Sequence, residues 1–145
     1  MKDPVAIKGR LSYQLLAADG SLKEEWEGPN LVVTVGLNFL ASLLGGSAPT
    51  LMSHMAVGSS ATAPSPADTT LGGELGRVAL SSTSPSGANV IYQATFPPGT
   101  GTGTIAEAGL FNSGVGGTML SRSTAISVIK AAGDTLNIIW TITFN

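Results

Sequence analysis

The chain contains no cysteine, so a disulfide framework and thiolate chemistry are both excluded and the redox compartment is left open. It has a single histidine, His54, which rules out a multi-histidine metal site; no ligand spacing surrounds it. Charge is scarce. Lys and Arg number 7 and Asp and Glu 9, so charged residues make up 11% of the chain, against about 25% in an ordinary soluble domain. With a net charge of −2 and no basic cluster, the electrostatic footprint of a nucleic-acid binder is missing. Long apolar runs are missing too. The most apolar stretch, Leu31 to Leu44, is too short for a bilayer span and is interrupted by Asn38 and Ser42. The first residues lack the apolar core of a secretory signal. These absences lead us to expect a soluble protein made in a cytoplasm, with no nucleic-acid or membrane partner and no cofactor.

What remains is a chain of 145 residues, 19 of them glycine, a length suited to one domain that buries roughly two-thirds of its unfolded surface. A surface poor in charge is cheap to desolvate. That suits a chain packed against other subunits, since interface cores are depleted in charge.

The clearest pattern lies at the end. Leu136, Ile138, Trp140, Ile142 and Phe144 alternate with Thr135, Asn137, Ile139, Thr141 and Thr143, the period-2 pattern of a strand with one buried face. Its odd face is polar but uncharged, which predicts cover by another strand or subunit. At the other end, residues 5–17 alternate in the same way. Asp19-Gly20 marks a turn, and Leu22 to Glu27 returns as a more charged strand. We read residues 1–29 as an N-terminal β-hairpin arm. Trp26 sits among acids; packing on the partner strand is its simpler reading, and an anchor for a neighbouring subunit is the functional one.

Residues 30–145 then form a β-sandwich domain. Val33, Leu37, Leu40 and Leu44 recur at helical spacing before Gly45-Gly46, predicting one short helix near residues 34–45 with that stripe on the sheet. Strands follow over 52–57, 74–83, 88–96, 104–112 and 118–128, with a turn at 84–87. Long loops cover 58–71, with Pro64 and Pro66, and 97–103, with Pro97 and Pro98. Together with the final strand this gives about eight strands and predicts a mainly β fold, an antiparallel, jelly-roll-like β-sandwich.

Catalytic constellations are hard to find. Gly58-Ser59-Ser60 lacks the flanks of a nucleophile elbow, and the Gly-Thr-Gly-Thr-Gly run from Gly99 has no following Lys-Ser/Thr, so it is no phosphate loop. Glu107 is the most informative charge. It lies mid-strand on the parity of Ile105 and Phe111, so burial would require a partner. Arg77 and Arg122 are the candidates for a structural ion pair between strands, used for registry or in a subunit contact.

Four pieces in order carry a resemblance: Asn30–Gly45, His54–Leu71, Phe96–Phe111 with the glycine loop and Ile-Ala-Glu-Ala-Gly-Leu-Phe, and Asp134–Phe144. Together they resemble small virion structural proteins of tailed bacteriophages, the head-decoration (cement) or tail-fibre-like proteins. The likeness covers roughly residues 30–145. It implies a non-enzymatic component of a virion. Such a component sits either on the capsid exterior, tying major capsid proteins together and contacting copies of itself, or in the tail or fibre as an adaptor or a receptor- or glycan-binding module. Length favours decoration, because the chain has no repetitive shaft. The interface candidates are Trp26, Pro64, Pro66, Pro97 and Pro98.

Overall fold

The computed structural model describes residues 6–144. The fold is mainly β. Its strands are β1 (Ile7–Leu16), β2 (Leu22–Val32), β3 (His54–Gly58), β4 (Glu74–Ala79), β5 (Ser82–Ser86), β6 (Asn89–Phe96), β7 (Gly103–Ile105), β8 (Glu107–Phe111), β9 (Met119–Ser123), β10 (Val128–Lys130) and β11 (Thr135–Phe144), with one helix, α1 (Thr34–Leu44). Nine strands form one antiparallel sheet in the order β4-β3-β8-β9-β2-β1-β11-β6-β5, and β10 pairs with β7 apart from it.

The expected count of about eight strands rises to eleven among the described residues because three stretches break. The stretch 74–83 turns a corner. Leu80 N–H donates to Ser53 C=O beside β3, and the next amide, Ser81 N–H, donates to Gln93 C=O on β6. The chain thus steps from one end of the sheet to the other within two residues, and the stretch expected as a turn at 84–87 begins inside β5. Ala106 separates β7 from β8, and the loop after Ser123 separates β9 from β10.

The sheet curls so that β4 comes against β6, and its inner face wraps the main core. Leu136, Ile138, Trp140 and Ile142 of β11 are all buried there, so the alternation of the closing strand reads out directly as burial. On the odd face Thr135, Asn137, Thr141 and Thr143 are half-buried, but Ile139 is 43% exposed.

Over its described part the expected arm is built into the sheet. β1 pairs with β11 over all ten of its residues, Ile7 opposite Phe144 through Leu16 opposite Thr135, and Leu11, Tyr13 and Leu15 enter the core. Residues 1–5 of that arm lie outside the described residues.

Helix α1 stands where the spacing placed it, but on a different stripe. Gly36 and Phe39 are buried, while Leu37 and Leu44 of the expected stripe face out. The reason is close approach. A β-carbon on Gly36 would collide with the Leu120 carbonyl, so the missing side chain lets the helix lie directly on β9. The helix ends in a Schellman motif. Ser47 N–H donates to Ser42 C=O and Gly46 N–H to Leu43 C=O, with Gly46 at φ +80, where glycine avoids the β-carbon penalty.

Candidate functional site

β8 and β9 are buried along their whole length. One face meets the main core. The other carries a smaller cluster of Val33, Ala56, Leu71, Phe111 and Met119, roofed by the loop between β3 and β4. A strand covered on both faces has no solvent side for a charge, yet Glu107 and Arg122 sit there, with side chains 0% and 3% exposed.

They survive burial because the carboxylate accepts four hydrogen bonds and four of the five guanidinium N–H groups find acceptors. Arg122 Nε donates to Glu107 Oε1 at 3.1 Å. The loop supplies the rest. Gly72 N–H donates to Oε1 at 2.8 Å, and Gly73 N–H and Ser60 N–H donate to Oε2 at 2.7 and 3.0 Å. On the other side Arg122 Nη1 donates to Thr62 C=O at 2.9 Å and to Asp68 Oδ2 at 3.2 Å. Asp68 Oδ2 in turn accepts from Ser65 N–H at 2.9 Å. The pair therefore does more than join two strands: it is the fastening point of the whole 59–73 loop. The same loop caps the helix, with Pro66 C=O accepting from Thr34 N–H at 2.9 Å, since α1 has no side-chain cap of its own.

Arg77, the other partner considered for Glu107, is engaged elsewhere. It forks onto Glu74, Nε to Oε2 at 3.2 Å and Nη2 to Oε1 at 2.7 Å. Its Nη1 donates to the Ser113 and Gly116 carbonyls at 2.9 and 2.8 Å, and its guanidinium lies 3.9 Å over the Phe111 ring. Arg122, Gly109, Ala56 and Arg77 form one cross-strand row, so the two arginines stand at its ends, and only Arg122 reaches Glu107. The parity argument also needs correcting. Ile105 belongs to the main core and Phe111 to the outer cluster, because the break at Ala106 resets which face each residue takes.

The interface candidates are scattered. Pro64 is half-buried, and Pro66, Pro97 and Pro98 are exposed. The loop from Pro97 is tied down by Lys130, whose Nζ donates to Pro97 C=O at 3.0 Å. Burial pushes the Lys130 amine below its usual value, and Asp134 partly opposes this. Trp26 pairs in register with Tyr13 but is 64% exposed, contrary to the expectation that it packs on its partner strand. The sheet curls away beneath it, and β9 leaves β2 before reaching it.

No protein-family model, curated protein or solved structure matches the chain.

The sequence reading missed an apolar groove of about 460 Å³ beside the C-terminal half of α1, walled by Leu43, Leu44 and Leu51 and floored by Phe39, Tyr92 and Phe144. Leu44 is 90% and Leu51 61% exposed. The signal was present in Leu43-Leu44 and Leu51, but a helical stripe assigned to the core concealed it. His54 is half-buried, and its Nδ1 lies 2.7 Å from Ser53 Oγ. Among the described residues no group of three or more His, Asp or Glu side chains is arranged to hold a metal ion, and no helix is long and apolar enough to cross a membrane.

Proposed function

We propose that this chain is a non-enzymatic structural protein of a bacteriophage virion, with a jelly-roll-like sandwich as its body. Its role is that of a decoration or cement subunit that binds the capsid exterior and stabilises contacts between major capsid proteins. The observation that carries the reading is the exposed apolar surface around Leu43, Leu44 and Leu51 in a chain with only 11% charged residues. Large apolar patches on a sparsely charged surface mark contact sites between proteins. The long loop held by Glu107 and Arg122 adds to this, because a loop ordered beforehand loses little entropy on binding. Binding several neighbours at once then stabilises the assembled state by mass action.

A second reading, a tail or fibre adaptor that contacts a receptor or glycan, is favoured by Trp26 standing 64% exposed beside Tyr13, Glu24 and Glu25 in one cleft. Quantitative mass spectrometry of purified particles separates the two. Hundreds of copies per particle are expected for decoration; a few to a few dozen would select the tail or fibre, and none would overturn the virion reading altogether.

A further inference from the structure

β2 and β9 share only the pairs Leu31–Arg122 and Val32–Ser121. Beyond them the strands diverge. Among the described residues no strand pairs with the outer edge of β2 from Leu22 to Asn30; at its far end the Ser123 hydroxyl donates to Pro29 C=O at 2.8 Å and Ala125 lies against Gly28, while Leu22 to Glu27 stay exposed. The gap is a groove. A cleft of about 320 Å³, lined by Glu24, Trp26 and Ser127 with Tyr13 in its wall, shares Glu24 and Ser127 with a neighbouring cleft of about 570 Å³ that runs on to Ile129.

The charge along this edge is one-sided. Lys23 is held by Asp134 at 2.8 Å and Glu27 by Arg10 at 2.6 Å. Among the described residues Glu24 and Glu25 accept only from neutral donors, Tyr13 Oη at 3.2 Å and Gln14 Nε2 at 3.3 Å. Glu24 shares the face of β2 that carries the exposed indole of Trp26, and Glu25 lies beside it on the other face; a carboxylate next to an indole attracts a cation by charge and by its ring face.

We propose that this groove docks an extended segment of a partner protein bearing lysine or arginine. The segment adds to β2 as a strand and places one cationic side chain between Glu24 and Trp26. A second copy of this chain is a poor occupant. Pairing two β2 edges antiparallel about Glu25 and Trp26 brings Glu24 opposite Glu27, or Glu25 opposite Glu27, and like charges directly opposite destabilise a ladder. This inference deepens the cement reading by naming the chemistry of the partner segment, and it rests on that reading for the partner being a capsid protein.

The test uses the full chain and two fluorescent eight-residue peptides, Thr-Lys-Val-Arg-Thr-Lys-Val-Thr and its counterpart with Glu at each basic position, followed by anisotropy at low and high salt. The basic peptide is expected to bind at least about tenfold more tightly. Its binding should weaken with salt, and backbone N-methylation on alternate residues should abolish it. Glu24→Gln and Trp26→Ala, both at exposed positions, should each reduce it. Equal affinity for the two peptides, no binding, or binding indifferent to both substitutions would overturn the proposal. So would a glycan-array signal that Trp26→Ala removes, which would assign the cleft to a sugar instead. Peptide binding by a protein absent from particles would sink the virion reading alone, whereas hundreds of copies per particle without peptide binding would sink the groove alone.

Discussion

Arg122 Nε and Glu107 Oε1 meet at 3.1 Å on neighbouring strands, where neither side chain reaches solvent. Because Glu107 also accepts from the amides of Ser60, Gly72 and Gly73, its charge is matched to a ring of donors that only a carboxylate satisfies. Glu107→Gln turns an acceptor into a donor facing other donors and leaves Arg122 with the more distant, partly exposed Asp68 as its remaining counter-charge among the described residues. It should cost about 3 kcal/mol of stability, read by chemical denaturation. Limited proteolysis should show cleavage within 59–73 rising in the variant; unchanged stability and unchanged cleavage would refute the fastening role.

Arg77 spans Glu74, two carbonyls of the 113–117 turn and the Phe111 ring. Arg77→Ala should cost about 2 kcal/mol, less than the loss at Glu107, because its Glu74 partner is partly exposed and is left in water. Hydrogen exchange should speed up at residues 113–117 and leave the 59–73 loop as it was. Matching effects on both loops would contradict two separate anchors.

Gly36→Ala places a methyl group against the Leu120 carbonyl. Helix propensity alone favours alanine by about 1 kcal/mol, so the sign of the change tests the packing. We expect a net loss of about 1–3 kcal/mol from forcing α1 off β9, seen as a lowered melting temperature. A rise would mean that the helix sits further from the strand than described.

Asp134 is buried and holds its carboxyl below the usual value, first through the hydrogen bond from Lys23 and then through the Ala131 amide. A depressed folded-state value means the stabilisation is complete above the unfolded pKa of about 3.9. It is lost as pH falls from there through the lower folded value. Melting temperature should therefore drop below about pH 4, and Asp134→Asn should flatten that part of the profile while lowering stability at neutral pH. An unchanged acid limb would count against this carboxylate.

Much of the fold was legible where the pattern was local. The even face of β11 needed only alternation, and the existence of the helix only its apolar spacing and its glycine stop. The helix stripe was not legible, because the decisive residue, Gly36, has no side chain to announce its burial. Ala106 and the step at Leu80-Ser81 were hidden for another reason: each break is stabilised by hydrogen bonds to chain far away in sequence, Gly58 for Ala106, and Ser53 and Gln93 for the step. The need of Glu107 for a partner followed from its parity with Phe111. The choice between Arg77 and Arg122 depended on which strand lies beside β8, and strand order is a property of the whole sheet. The exposure of Trp26 belongs to the same class, since it depends on where β9 leaves β2.

The step at Leu80-Ser81 also has a mechanical meaning. β4 and β5 are the two outermost strands of the sheet, the ones a pulling force would peel first. They are consecutive pieces of one chain joined by two residues, so neither can swing away without hauling on the other. A load that reaches the Leu80-Ser81 link at one rim is passed on to the strand at the opposite rim. A sheet belted in this way resists tearing at the very edges where an open sheet is weakest.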